Sequence, residues 1–241
     1  SSLEVNAIEK AEMTAIAQAD NVLLRSTSEI DYLVNRSIDR KKLHLFPICR
    51  DIIPSSVGFD DRNGFLFLGG FLHTPNIDAV KFFLEEIFPE VRRLDSSLKF
   101  YIAGSHSELL IDSLGNDLHS DGVEVIGYVS DLRFVFDQVK FSVAPLRYGA
   151  GTKGKVISSM CHGLPCIATS IAVEGLRDLK NGCHVLIEND SSAFAEKIVN
   201  LHSNPKLWQD LSSNSLEYAS QTSSLDTLNS CLKGIMENVT N

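Results

Sequence analysis

Phe141-Ser-Val-Ala-Pro145-Leu-Arg-Tyr-Gly149-Ala-Gly151-Thr-Lys153-Gly154-Lys155-Val156 is the stretch from which the rest of the chain can be read. It opens as an apolar strand, passes through Gly149, Gly151 and Gly154, and enters a helix-like run. Such a loop exposes backbone N–H groups beside a helix N-terminus, an arrangement that attracts phosphate through hydrogen bonds and the helix dipole. Lys153 and Lys155 add two positive charges to it. A plain strand-to-helix turn would need the glycines but not both lysines.

Outward from this loop, residues 65–187 alternate short apolar runs with longer helix-like stretches, the pattern of βαβ units. Strands are expected at Phe65–Leu68, Lys99–Ala103, Val123–Ile126, Phe141–Pro145, Pro165–Thr169 and His184–Glu188. Each is apolar enough to be buried on both faces, as in a parallel sheet. A helix is expected from Asn76 to Arg93, with Ala79, Val80, Phe83, Leu84 and Ile87 on its apolar face. Glycines at Gly69-Gly70 and Gly104 fall where strands end, the edge at which open α/β sheets bind ligands. After Glu188 three helices are expected: Ser191–Leu201, Lys206–Ser220 and Leu225–Asn238. The fold class is therefore α/β, a Rossmann-like parallel sheet flanked by helices.

Residues 1–55 read differently: a helix to about Asp20, a run Val22–Arg25, a helix from Ser28 and a strand-like Leu43–Ile48. This is too little for a second full domain, and Arg50–Gly64 reads as a linker into residues 56–241. The chain begins at Ser1, not methionine, and reads as a fragment of something longer.

A net charge of -9 argues against a protein built to neutralise nucleic-acid phosphates, while leaving room for a local basic pocket. Five cysteines at wide spacing suggest neither a disulfide framework nor a zinc site, and read as reduced, mostly buried thiols. No apolar run reaches the ~20 residues of a membrane span, and no signal segment opens the chain. The expected location is the cytoplasm, including its membrane surface.

Two common phosphate motifs fit the central loop poorly. Gly149-x-Gly151-x-x-Gly154, with Glu174 twenty residues on, matches a dinucleotide fingerprint, but Leu146, Arg147 and Tyr148 intervene after what is the fourth strand. Gly149-x4-Gly154-Lys155 matches most of a Walker A loop, but Val156 stands where a hydroxyl must hold magnesium.

A third match is broader. Pro145–Val156, continued by Met160-Cys-His-Gly163-Leu-Pro165-Cys-Ile-Ala-Thr169 and Glu174-Gly175-Leu, resembles the donor domain of group 1 (family 4) glycosyltransferases. Phe67-Leu-Gly69-Gly70-Phe-Leu-His73-Thr-Pro75-Asn76-Ile-Asp78-Ala79 and Gly127-Tyr-Val-Ser-Asp131-Leu resemble that family's loops in order and spacing. The resemblance covers residues ~60–205 well and 1–50 loosely. It implies half of a GT-B fold that binds a nucleotide-diphosphate sugar and transfers the sugar with retention, with no metal and no cofactor beyond that donor. The acceptor it implies is a glycan or lipid-linked glycan.

The resemblance assigns Lys153, with Lys155 as helper, to neutralising the leaving diphosphate, the largest catalytic contribution expected here. Gly149, Ala150, Gly151 and Thr152 form the loop around it, Gly69, Gly70, His73, Asn76 and Gly104 lie nearby, and Gly127, Tyr128 and Val129 hold the base. Asp131 is expected to cap a helix. Two glutamates that the family places across the loop, with seven residues between them, fall at Ala150 and Ser158. Ser158 can offer the ribose one hydrogen bond but not a bidentate carboxylate, and Glu174 is a further ribose candidate. Two other readings stay open: a catalytically impaired binding or scaffold module of the same fold, and a sugar-nucleotide epimerase of double-Rossmann architecture.

Overall fold

The computed structural model describes residues 2–115, 118, 120–149 and 151–240. All six expected strands form, and they pair in parallel into one sheet. These are β3 (Phe65–Leu68), β4 (Phe100–Ala103), β5 (Val123–Gly127), β6 (Phe141–Ala144), β7 (Cys166–Ala168) and β8 (Leu186–Ile187). Their spatial order is β5-β4-β3-β6-β7-β8. The chain thus steps one way from β3 to β5, crosses back, and continues from β6 to β8. The reversal falls between β3 and β6, the switch point at which such sheets open a crevice at their carboxyl ends.

Phenylalanines fix this register. Phe65 lies opposite Phe100 on one side and Phe141 on the other, with ring centroids 5.3 and 5.4 Å apart, all three fully buried. Phe83 caps the row at 4.4 Å from Phe100. Phe83 belongs to a helical rod made of α3 (Thr74–Phe82), a π-helical turn (Phe83–Ile87) and α4 (Phe88–Leu94). The rod starts two residues before the expected Asn76, with Pro75 in its first turn, where a missing N–H costs nothing. On the other face Leu66, Ala103, Val135, Phe136, Val139 and Leu164 form a second cluster, so the sheet is covered on both sides. Short helices α5 (Ser107–Leu114), α6 (Arg133–Phe136) and α7 (Gly154–Cys161) follow β4, β5 and β6. After β8 come α8 (Ser191–Ser203), α9 (Pro205–Ser223) and α10 (Leu225–Thr240), each longer than its sequence pattern indicated.

Residues 2–45 form a smaller unit: α1 (Ser2–Gln18), β1 (Val22–Leu24), α2 (Thr27–Asn35) and β2 (Leu43–Leu45). Strands β1 and β2 pair in parallel with each other and sit apart from the main sheet. Helix α2 opens with a capping box, in which the Glu29 N–H donates to Ser26 Oγ and the Ser26 N–H to Glu29 Oε2. The strand expected to Ile48 stops at Leu45, since Pro47 has no N–H for a ladder.

No regular element lies between Leu45 and Phe65. The connecting segment is nevertheless pinned. The Ile53 and Ser55 N–H groups donate to the carbonyls of Cys161 and His162 at the end of α7. The Arg62 side chain, 4% exposed, donates to the carbonyls of Val57, Phe136 and Val139. The five cysteines are free thiols, but only Cys161 and Cys166 are buried; Cys49, Cys183 and Cys231 are partly exposed, which corrects the expectation of mostly buried ones.

Candidate functional site

A cleft of about 500 Å³ opens at the carboxyl edge of the sheet. It gathers Gly69, Gly70, His73 and Asn76 from the β3–α3 connection, and Gly104 from the end of β4. Tyr128 and Val129 come from beyond β5, and Lys155 and Ser158 from α7. Residues some ninety positions apart in sequence therefore share one crevice. Leu68 at the end of β3 and Gly154 of the central loop also line it, as do three residues not singled out from sequence: Arg50, Ser105 and Leu132. Arg50 lay in what read as a linker, and nothing in its neighbours marked it.

The cleft floor depends on two glycines. Gly104 has φ +152°, and a Cβ there would stand 1.7 Å from the Gly69 carbonyl oxygen. A Cβ on Gly69 would in turn sit 2.9 Å from Asn76 Cγ. With both side chains absent, the ends of β3 and β4 close together and Asn76 swings over them. Its Nδ2 donates to the Gly70 carbonyl at 2.7 Å and its Oδ1 accepts from Lys155 Nζ at 2.5 Å.

That bond is the only acceptor contact of the Lys155 ammonium among the described residues, and no carboxylate pairs with it. The ammonium also lies 4.2 Å from the centre of the Phe67 ring. Burial pushes the group down to about 7, with Lys153 a smaller influence in the same direction. The N-cap residues of α3 and α7, His73 and Lys153, make no side-chain cap bond. The Asn76 and Val156 N–H groups donate to the His73 and Lys153 carbonyls, which leaves the N–H groups that precede them in each first turn for another acceptor. Asp131 accepts from the N–H of Arg133, the first residue of α6, at 3.0 Å, although the cap position itself falls on Leu132.

The other lysine of the loop behaves differently. Lys153 is 8% exposed, and its Nζ donates to the carbonyls of Gly149 at 2.7 Å and Gly151 at 2.5 Å. It braces its own loop, and burial lowers its pKa while Glu174 opposes that shift. Of the two lysines, it is Lys155 that lines the cleft. Ala150 lies outside the described residues.

Gly149, Gly151 and Glu174 line a second cavity of about 550 Å³, walled by α1 and α2 through Glu12, Met13, Ile16, Glu29 and Tyr32. Thr152 closes the seam between the two units, its hydroxyl donating to the Arg25 carbonyl at 3.0 Å. The twenty-residue spacing of Glu174 from Gly154 thus does not bring it to the cleft, because the 3₁₀ turn Ile171–Val173 after β7 carries it to the other side of the loop. Gly127 stays beside the cleft as the end of β5, with φ +81°. Tyr128, 73% exposed, stands at the mouth.

A doubly wound parallel sheet with its crevice at the β3/β6 switch point is a Rossmann-like architecture, the one from which each half of a GT-B glycosyltransferase is built. A family model described as glycosyl transferases group 1 matches residues 62–204, more than half of the chain, and the protein belongs to that family. An uncharacterized 44.6 kDa protein from the cps region of Klebsiella pneumoniae is 25% identical over 166 residues, 66% of this chain and 42% of that protein. Among solved structures, Staphylococcus aureus TarM, in a complex that includes UDP, superposes with a TM-score of 0.78 at 18% identity, covering 94% of this chain and 46% of that one. Anabaena HepE, in complex with UDP and glucose, gives 0.74 at 12% identity, covering 91% and 63%. The chain thus spans less than half the length of the Klebsiella protein and of TarM. No helix among the described residues is long and apolar enough to cross a membrane.

Proposed function

We propose that the 500 Å³ cleft holds the nucleoside-diphosphate end of a sugar donor, and that residues 56–241 are the donor-binding domain of a retaining hexosyltransferase that works without a bound metal. Residues 1–55 would then be the last part of an acceptor-side domain. One observation carries this reading: in a chain of net charge -9, the cleft is lined, among the described residues, by Lys155 and Arg50 and by no carboxylate. A poorly solvated ammonium with a single neutral acceptor is stabilised when a phosphate oxygen takes its remaining N–H bonds.

In this arrangement Lys155, Asn76 and the first turns of α3 and α7 hold the diphosphate. Their positive charge lowers the barrier most where the leaving diphosphate gains negative charge. The apolar Leu132 and Val129 with Tyr128 accept the base, and Ser158, one turn into α7, reaches the ribose. Lys153 acts by holding Gly149 and Gly151 in place. The 550 Å³ cavity across the loop suits a hydroxyl-bearing acceptor, a glycan or lipid-linked glycan. Ser158, a neutral residue where the family resemblance leads one to expect an acid, favours a second reading in which the module retains the donor but turns over little.

Calorimetric titration with UDP, GDP and ADP, with and without magnesium, tests the proposal. Micromolar binding of one nucleotide, unchanged by magnesium and lost in Lys155→Met, is the expected result. Binding that requires magnesium, or that Lys155→Met leaves intact, would refute the assignment. The UDP complexes of TarM and HepE make UDP the first candidate.

A further inference from the structure

Arg50 is the second cation of the cleft and comes from outside the six-stranded sheet. It sits on the connecting segment between β2 and β3, and its backbone N–H is anchored to the Ser223 carbonyl at the end of α9, 2.9 Å away. Its side chain reaches the first residue of α7: a Cβ built on Gly154 would stand 3.3 Å from Arg50 Nη2. Only Nη1 has an acceptor among the described residues, the neighbouring Cys49 carbonyl at 2.9 Å, and no carboxylate pairs with the guanidinium.

The topology says which part of a ligand this group meets. The cleft runs across the strand ends from β5 and β4 to β3 and β6. Its β5 end carries Tyr128, Val129 and Leu132, the surfaces suited to a flat base, and its α7 end carries Gly154 and Lys155. Arg50 stands at the α7 end against Gly154, on the far side from the base. A planar guanidinium with free N–H bonds matches a terminal phosphate, which offers oxygens in the same fork geometry.

Resting on the cleft reading above, we infer that Arg50 clamps the outer phosphate of the nucleotide, so that this residue of the connecting segment makes the cleft prefer a nucleoside diphosphate to a monophosphate. Lys155, bonded to Asn76 beneath both helix N-termini, serves either ligand. Because Arg50 belongs to the segment joining the two units, donor binding also ties that segment to α7.

The test titrates the wild-type 241-residue chain and its Arg50→Ala, Arg50→Lys and Lys155→Met variants with UDP and with UMP at one ionic strength. Arg50 is exposed and donates one side-chain bond to its neighbour, so Arg50→Ala should fold with an unchanged Tm. Loss of a charge-assisted phosphate contact weakens UDP binding about ten- to a hundredfold. UMP binding should stay within about twofold, and Arg50→Lys should recover part of the UDP affinity as a point charge without the fork. Equal weakening of UDP and UMP, or unchanged UDP binding in Arg50→Ala while Lys155→Met abolishes it, would overturn the role of Arg50 alone. A wild-type chain that binds neither nucleotide would overturn the cleft reading, and this inference with it.

Discussion

The affinity of the cleft for UDP should fall steeply as the pH is raised from 7 to 9, with Lys155 responsible. Burial holds its ammonium at about 7 in the free protein, so half of the molecules carry the charge at pH 7. About a tenth do at pH 8 and a hundredth at pH 9. A bound phosphate favours the charged form and raises the pKa, so binding at the higher pH must take up a proton. The affinity lost between pH 7 and 9 is then about fiftyfold, or roughly 2.3 kcal/mol at 1.36 kcal/mol per unit. The ligand contributes little to this slope, since a terminal phosphate with a second pKa near ~6 is already ionised throughout. Cys166, pushed up to about 11, also stays protonated. Calorimetry at pH 8.5 in two buffers of different ionisation enthalpy measures the proton uptake directly, and nearly one proton per UDP is expected. Lys155→Met should show no UDP binding at any pH across the range. A flat profile in the wild-type chain, or proton release, would refute the account of Lys155 as an uncompensated cation awaiting phosphate.

Other consequences are open to simple measurement. Lys155→Met should raise Tm most below pH 7, where the wild-type chain bears the cost of burying the charge, and the gain should disappear toward pH 10.5; a gain that grows with pH would contradict this sign. Gly104→Ala puts a methyl group 1.7 Å from the Gly69 carbonyl in a left-handed backbone region, and should cost more than about 3 kcal/mol in chemical denaturation or prevent folding. Arg62→Met leaves the carbonyls of Val57, Phe136 and Val139 without a donor, so a loss of about 3 kcal/mol is expected, and a neutral result would show that the segment 46–64 is held otherwise. His202 is held down to about 4, chiefly by burial and then by Lys140. Its contribution to stability is complete above about pH 6.5 and drains away toward pH 4, so an acid-induced fall in Tm should be reduced in His202→Gln.

The sheet was legible because buried parallel strands must be apolar throughout, and Phe65–Leu68 and Phe141–Ala144 could hardly be anything else. Gly69, Gly70, Asn76 and Gly104 were legible for a related reason: strand ends that turn sharply toward a helix need glycine. The sequence reading put Lys153 first and Lys155 second, whereas it is Lys155 that lines the cleft. Lys153 and Lys155 carry the same charge two residues apart, and only the start of α7 at Gly154 decides that one folds back on the loop while the other enters the cleft. Arg50 was invisible because its link to Gly154 spans about a hundred residues and leaves no spacing to read. Glu174 is the opposite case, a spacing that matched a motif while the 3₁₀ turn after β7 places the residue at the second cavity.

Among the described residues β1 pairs only with β2, which has a consequence for how the molecule opens. A two-stranded ribbon is marginal by itself, and here, among the described residues, Ile30, Leu33 and Leu43 form a small buried cluster with partly buried side chains such as Met13, Ile16 and Leu45 against it. The six-stranded sheet draws on a core many times larger. Amide protons of residues 22–45 should therefore exchange with solvent through local openings far cheaper than global unfolding, while those of β3 and β6 exchange only when the whole molecule unfolds.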